Sequence, residues 1–223
     1  MHSFFITGTD TEVGKTYVTR RLLLAANAAG KSTLGYKPVS AGCELLNGQL
    51  VNEDAQALQQ AASIEIPLQE VNPIAFEPPI APHIAAEQCG RPISSDRIIS
   101  GYHRLQSYSP DVLLVEGAGG WRLPIGAEGY LSGVVKALEL DVILVVGMRL
   151  GCLNHAVLTA EAIQADGLHL KGWIANQLSE PMPYYQQNLA TLKSALPAPM
   201  LAEIGFRQSE AYESLSELAD IFS

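Results

Sequence analysis

Chemistry in this chain is concentrated in a few polar residues set at the ends of apolar runs. The first group is Gly8-Thr9-Asp10-Thr11-Glu12-Val13-Gly14-Lys15-Thr16, between the apolar run Ser3 to Thr7 and a stretch of helical period. A strand, a glycine-bounded turn, Gly-Lys-Thr and a helix make a phosphate-binding loop. Backbone N–H groups and the helix N-terminus cradle phosphates, the lysine reaches the β and γ phosphates, and the hydroxyl ligates Mg²⁺. Lys15 and Thr16 take those two roles here. The loop departs from the usual pattern: five residues, not four, separate Gly8 from Gly14. Partitioning-type switch ATPases place a lysine where this chain has Asp10, and glycines where it has Thr11 and Glu12. A carboxylate facing triphosphate is repelled, so Asp10 and Glu12 are expected to turn to metal-bound water, loop N–H groups or a cationic partner.

Three further positions extend the constellation. Lys37 lies at the C-terminal end of the run Thr33 to Val39, where a cation would neutralise charge on a transferring phosphoryl group. Glu116 ends Asp111 to Glu116 and precedes the glycine turn Gly117-Ala118-Gly119-Gly120, which leaves room for nucleotide or substrate to approach the backbone. An acid there suits Mg²⁺. Glu53 and Asp54 open a predicted helix; either complements the helix dipole or supplies a third Mg²⁺ contact.

The elements that must hold these residues follow from hydrophobic period. Strands are predicted at Ser3–Thr7, Thr33–Val39 (ended by Pro38), Asp111–Glu116, Asp141–Gly147, Leu170–Asn176 and Ala198–Ile204. Helices are predicted at Lys15–Ala29, Glu53–Ala62, Asp96–Tyr108, Leu131–Leu140, Asn154–Ala165 and Pro183–Leu196. In the first helix Val18, Leu22, Ala25 and Ala29 share a face and Gly30 is the stop. Near-continuous apolar strands alternating with helices indicate an α/β fold of the P-loop NTPase type: a mostly parallel central sheet flanked by helices on both faces. With no repeat and no linker, residues 1–223 are expected to form a single domain. Ala41 to Pro92 is the least regular region and is expected to fold over the top of the sheet, where loops carry sites.

Bulk composition narrows the partners. Of 223 residues, 48% are apolar, enough for a sizeable core. A net charge of −9 argues against a broad nucleic-acid or anionic-membrane surface. Cys43, Cys89 and Cys152 form no C-x-x-C pair and are odd in number, a poor framework for zinc or disulfides. Val142 to Met148 is too short to span a bilayer, and no signal peptide is read at the N-terminus. The expectation is a cytoplasmic protein.

Read together, "FITGTDTEVGKT", "GYKPV", "NEDAQAL", "PHIAA", "LLVEGAGGW", "LGCLNHA", "GWIANQ" and "PAPMLAEI" closely resemble the dethiobiotin synthetases, in order and over nearly the whole chain. These are ATP-dependent cyclo-ligases of biotin biosynthesis. The resemblance implies that one amine of diaminopelargonate takes up CO₂ as a carbamate. ATP phosphorylates it, and the second amine closes a cyclic urea. It implies catalytic roles for Lys37, Lys15 and Thr11, and Mg²⁺ ligation by Thr16, Asp54 and Glu116, choosing Asp54 over Glu53. ATP contacts are implied at Glu12, Val13, Gly14, Lys15, Thr16, Tyr17, Asp54, Glu116, Gly117, Ala118, Gly119, Asn176, Gln177, Gly205, Phe206 and Arg207, with Asn176 reading adenine. Substrate contacts are implied at Thr11, Lys37, Ser40, Ala41 and Gly151-Cys152-Leu153-Asn154. That last segment would bind the carboxylate tail, with Asn154 capping the following helix. It serves the neighbouring subunit in the family, which implies a homodimer with the substrate site at its interface.

Departures from relatives are local. Some carry a hydroxyl residue where Ala41 stands, so that either Ser40 beside it is the substitute or that substrate hydrogen bond is absent; some carry Asp for Gln177, and Pro is common at Gly205. Two other readings were weighed. A P-loop amidoligase usually appends a glutamine-hydrolysing domain with a nucleophilic cysteine, which is not seen here. A partitioning-type nucleotide switch is opposed by Asp10 at the signature-lysine position.

Overall fold

The computed structural model describes residues 1–179, 182–206 and 218–222. Ten strands and eight α-helices run in the order β1 (His2–Gly8), α1 (Lys15–Ala28), β2 (Thr33–Tyr36), β3 (Val39–Ser40), β4 (Glu44–Leu46), β5 (Gln49–Val51), α2 (Glu53–Ala61), α3 (Leu68–Val71), β6 (Ile74–Ala75), α4 (Pro82–Gln88), α5 (Ser95–Gln106), β7 (Val112–Glu116), α6 (Leu131–Ala137), β8 (Asp141–Met148), α7 (Cys152–Ala165), β9 (Leu170–Gln177), α8 (Tyr185–Ala195) and β10 (Met200–Ile204). Six strands pair in parallel in the order β10-β9-β8-β1-β7-β2. Successive strand residues point to opposite faces. Because every residue of β7, and every residue of β8 after Asp141, is buried, both sheet faces are covered. This is the expected P-loop NTPase-like arrangement, and none of its described helices is long and apolar enough to cross a membrane.

Register places the chemistry. β1 lies between β7 and β8, with Ile6 opposite Glu116, so the phosphate loop after β1 and the acid ending β7 emerge side by side. β2 pairs Tyr36 with Val115, which brings the next residue, Lys37, level with Glu116. Sites of open parallel sheets sit at this carboxyl end.

Several boundaries differ from those read in the sequence. β2 stops at Tyr36 rather than reaching Val39. Pro38 has no N–H for the ladder, and beyond it the chain joins a second, two-stranded parallel sheet, β3 with β6. Within β2, Gly35 is packed so closely that a Cβ there would meet the Leu58 side chain of α2 at 2.9 Å. In α1 the buried face holds Val18, Leu22 and Ala25 as read, but Ala29 is exposed past the helix end. Gly30 and Lys31 close that end with N–H bonds to Asn27 (2.9 Å) and Ala26 (3.0 Å). Ala41 to Pro92 is more regular than expected: it contains the hairpin β4–β5, turned by Asn47-Gly48 with both φ positive, besides α2, α3, β6 and α4.

Candidate active site

Below the phosphate loop, the apolar sequence supplies a plug. Val13 is buried beneath it, against Gly8 and Gly147. Gly14 then takes the left-handed conformation (φ 82°) at the N-cap of α1, where a Cβ would collide with the Asn176 amide. Asn176 is buried and donates Nδ2 to the Val13 carbonyl at 2.9 Å, tying β9 to the loop. Its Oδ1 is buried with no partner. Glu12 is also left-handed (φ 59°) and exposed at the cleft mouth.

The loop carboxylate Asp10 turns to the loop backbone and to a cationic side chain. Its Oδ1 accepts from the Thr11 N–H at 2.8 Å, and its Oδ2 pairs with the Arg149 guanidinium at 2.8 Å. The Asp10 carbonyl accepts from Lys15 Nζ at 2.9 Å, which folds the lysine back along the loop. Burial lowers the pKa of Lys15 to about 8, aided by the charge of Lys37 and opposed by Glu116, Asp54 and Asp10. A desolvated ammonium of this kind gains most from an arriving anion.

The acids converge from two elements. Asn52 caps α2, its side chain accepting from the Ala55 N–H at 3.2 Å, and this sets the first turn that carries Asp54. Glu116, fully buried at the end of β7, accepts from both Lys37 Nζ (2.6 Å) and the Thr16 hydroxyl (2.7 Å) through Oε1. Lys37 Nζ also reaches Asp54 at 3.1 Å and the Gly117 carbonyl at 3.4 Å. Burial pulls the Lys37 pKa down, but Glu116 and Asp54 more than reverse this, so the ammonium is held charged. Desolvation raises the Asp54 pKa; the charge and hydrogen bond of Lys37 and the Thr16 hydroxyl outweigh it, leaving a carboxylate below its ordinary range.

A cleft of about 650 Å³ opens over these groups. It is lined by Thr11, Glu12, Gly14, Lys15, Thr16, Lys37, Ser40, Ala41, Asp54, Ala118 and Gly119, all singled out by sequence. Glu116 and Gly117 lie behind that surface, Gly117 packed on the Phe5 ring, while Gly120 backs onto the loop carbonyls of Gly8 and Thr9. The Ser40 hydroxyl is committed, donating to Asn72 Oδ1 at 2.8 Å beside Cys43 Sγ at 3.2 Å. Val13, Tyr17, Asn176, Gln177, Gly205, Phe206 and Gly151 to Asn154 do not line the cleft. Gln177 Nε2 instead donates to Glu203 at 3.2 Å. Arg207 lies outside the described residues.

One sequence expectation is corrected. Asn154 is not the cap of α7: Gly151 holds the N-cap position in the left-handed conformation (φ 95°), with no side-chain cap, and Asn154 is the third residue of the helix. The helix begins two residues early because Gly151 permits the turn. Sequence reasoning also passed over part of the wall: Asn52, Leu123 and the segment Pro79 to Pro82. Asn52, three residues before Ala55, carried an N-cap signal; Arg149 and Asn72 carried none, because their partners are far away in sequence.

The donor set fits a hard divalent cation. Thr16, Asp54 and Glu116 offer only oxygens, and Glu116 Oε2 is buried without a partner. Among the described residues no three His, Cys, Asp or Glu side chains cluster as a self-sufficient metal site. Two acids and a hydroxyl leave positions for phosphate oxygens and water, as Mg²⁺ prefers.

Known proteins resemble the chain at two levels. A family model described as an AAA domain matches residues 2–210. ATP-dependent dethiobiotin synthetase BioD of Alteromonas mediterranea is 59% identical over 93% of both chains. The protein of the same name from Pseudoalteromonas translucida is 52% identical over 91% of this chain and 89% of its own. That from Aeromonas salmonicida is 49% identical over 98% and 97%. Among solved structures, the MinC:MinD cell division protein complex of Aquifex aeolicus aligns with TM-score 0.61 at 12% identity, covering 99% of this chain and 95% of the other. A ParA family ATPase from Chlorobium tepidum aligns with TM-score 0.59 at 12% identity, covering 98% and 97%. These structural likenesses concern the fold alone.

Proposed function

The chain belongs to the ATP-dependent dethiobiotin synthetase family, and on that premise we propose that it joins CO₂ to diaminopelargonate, using ATP and Mg²⁺, to close the ureido ring of dethiobiotin. The observation that carries this reading is the meeting of Lys37 with Glu116 and Asp54 in the cleft that also holds Lys15 and Thr16. A second lysine, held charged where the γ-phosphate would lie, suits transfer to an anionic acceptor better than simple hydrolysis.

One amine of the substrate adds to CO₂ and loses a proton, giving a carbamate. A carbamate oxygen attacks the γ-phosphorus of ATP, the bond to the β-phosphate oxygen breaks, and ADP leaves. The second amine then attacks the carbamate carbon of the mixed anhydride; phosphate departs, a proton is lost and the ring closes. Lys15 and Lys37 stabilise charge on the transferring group, which is the main demand of phosphoryl transfer. Thr16, Asp54 and Glu116 would hold Mg²⁺, which when bound supplies further charge neutralisation at the phosphates. Thr11, at the cleft wall, orients the diamine, and the ring closure gains from being intramolecular.

The roles of more distant residues belong to the same reading. Asn176 Oδ1, buried and unpartnered, is the acceptor that the adenine amino group would take. Gly151 to Asn154, at the start of α7, would bind the substrate carboxylate of a neighbouring subunit. Leu158 on α7, at 56% exposure, and Leu150 just before that helix, at 94%, support this region as a homodimer face. The protein would work in the cytoplasm. Incubation with labelled CO₂, ATP, Mg²⁺ and diaminopelargonate is expected to yield acid-stable label and stoichiometric ADP only when all are present. Folded protein that gives no such product refutes the reading; ATP hydrolysis stimulated by DNA and indifferent to the diamine would favour a nucleotide switch instead.

A further inference from the structure

At Lys37 the chain leaves one sheet and has not yet joined the next. Tyr36 is the last residue of β2 and Val39 the first of β3, so neither sheet's ladder holds the backbone of Lys37. Pro38 cannot donate a hydrogen bond. The Lys37 peptide groups are satisfied from outside both sheets. Its N–H donates to the Val71 carbonyl at 2.8 Å, and its carbonyl accepts from Asn72 Nδ2 at 2.6 Å. Asn72 follows α3, has its own N–H bonded to Leu68 at 2.8 Å, and is 6% exposed. Its other amide atom, Oδ1, accepts from the Ser40 hydroxyl at 2.8 Å. The Lys37 carbonyl can only accept, which fixes which end of the amide is which. One buried side chain thus bridges residues 37 and 40, on either side of the proline.

We propose that Asn72 is the positioning residue of the active-site lysine: by gripping the Lys37 carbonyl and the Ser40 hydroxyl, it fixes the chain across the sheet-to-sheet break. It thereby sets where the Lys37 ammonium meets the transferring phosphoryl group. This rests on the reading of Lys37 as a catalytic group. The argument is geometric. A lysine has four rotatable side-chain bonds, and its head is useful only when its root is fixed. At other positions the sheet ladder would fix that root; at this one the Val71 carbonyl and the Asn72 side chain do, and only Asn72 also reaches across the proline to Ser40.

Asn72→Asp keeps the shape and replaces the Nδ2 donor with an oxygen that cannot donate when ionised. Its kcat for ADP release coupled to ring closure is expected to fall tenfold to a hundredfold, while the affinity for ATP, titrated directly, stays within about threefold. The decisive arm repeats the substitution in a Lys37→Leu background. A residue acting through Lys37 has nothing left to position there, so Asn72→Asp should lower the residual rate less than about twofold further. An equal loss in both backgrounds, an unchanged kcat in the single variant, or a loss seen only in ATP affinity overturns the proposal. Asn72→Ser, which removes the grip without adding charge, is measured beside it. If thermal melting shows both variants unfolded, Asn72 is a stability residue and the proposal fails. The wild-type arm separates the two readings: a wild-type chain that forms no product refutes the function, whereas active wild type with an indifferent Asn72 refutes only the positioning role.

Discussion

In the proposed reaction, Lys37 is the residue on which the most chemistry depends. Its ammonium bonds to two carboxylates, which keep it charged, and also reaches the Gly117 carbonyl at 3.4 Å. Lys37→Leu is expected to fold and to lose about two decades of turnover, roughly 3 kcal/mol of transition-state stabilisation. Near-normal turnover in that variant would remove Lys37 from its role. Asp10 bears a different expectation. Its pair with Arg149 is half exposed on both sides, and such pairs contribute at most about 1 kcal/mol. Arg149→Ala should therefore leave the melting temperature nearly unchanged, and molar salt should mimic its small effect; a large drop would show that the pair holds the loop together. The sequence made the types of these residues plain, because Gly-Lys-Thr, a strand-end lysine and a strand-end acid each carry their own chemistry. It did not reveal where Asp10 points, because Arg149 lies 139 residues away and no local pattern joins them.

Elements were legible where hydrophobic period is strong and illegible where the backbone changes partners. Six strands and six helices were anticipated close to where they occur, since buried parallel strands read as continuous apolar runs. The break after Tyr36 was read as one strand through Val39, because β3 has the same β-branched and apolar composition as β2 and differs only in what it pairs with. The helix α7 was started late, because Asn154 looks like a cap and the turn at Gly151 depends on φ, which composition does not encode. Capping yields a prediction at this scale. Asn52→Ala removes the side-chain acceptor at the start of α2 and should cost about 1 kcal/mol of stability. It should also weaken Mg²⁺-dependent ATP binding, because Asp54 rides on that first turn. Titrating ATP with and without Mg²⁺ separates the two effects.

At the scale of the whole molecule, the sheet order places the phosphate loop, Glu116 and Lys37 on adjacent strands, so core damage should reach the site only through stability. Leu144, at 0% exposure in β8, lies beside the loop strand, opposite Thr7, and does not line the cleft. Leu144→Ala should cost about 2–5 kcal/mol, lowering the melting temperature by roughly 2–4 °C per kcal/mol in a chain of this size. Turnover per folded molecule at low temperature should be unchanged; a fall in kcat there would show that the strand transmits strain to the site. Across the chain, the glycine turn is moored far from its strand. Trp121 Nε1 donates to Asp166 at 2.8 Å, and Arg122 pairs with the same carboxylate through two bonds of 2.6 Å and 3.0 Å. This link between the turn after β7 and the end of α7 was not legible in the sequence, for the same reason as Asp10 with Arg149.

The short β2 also bears on how the protein tolerates error. A strand pairs by a ladder that repeats every two residues, so a slip of one residue would turn every side chain to the opposite face and carry Lys37 away from Glu116. Two neighbours forbid it. Gly35 sits where a Cβ would meet the Leu58 side chain at 2.9 Å, so a larger residue slipped into its place would clash. Pro38 ends the ladder on the other side, because the next rung would need an N–H it lacks. The strand therefore has one admissible alignment, bracketed by its smallest residue and by its imino acid, and mutations elsewhere in β2 can weaken the fold without delivering the lysine to the wrong address.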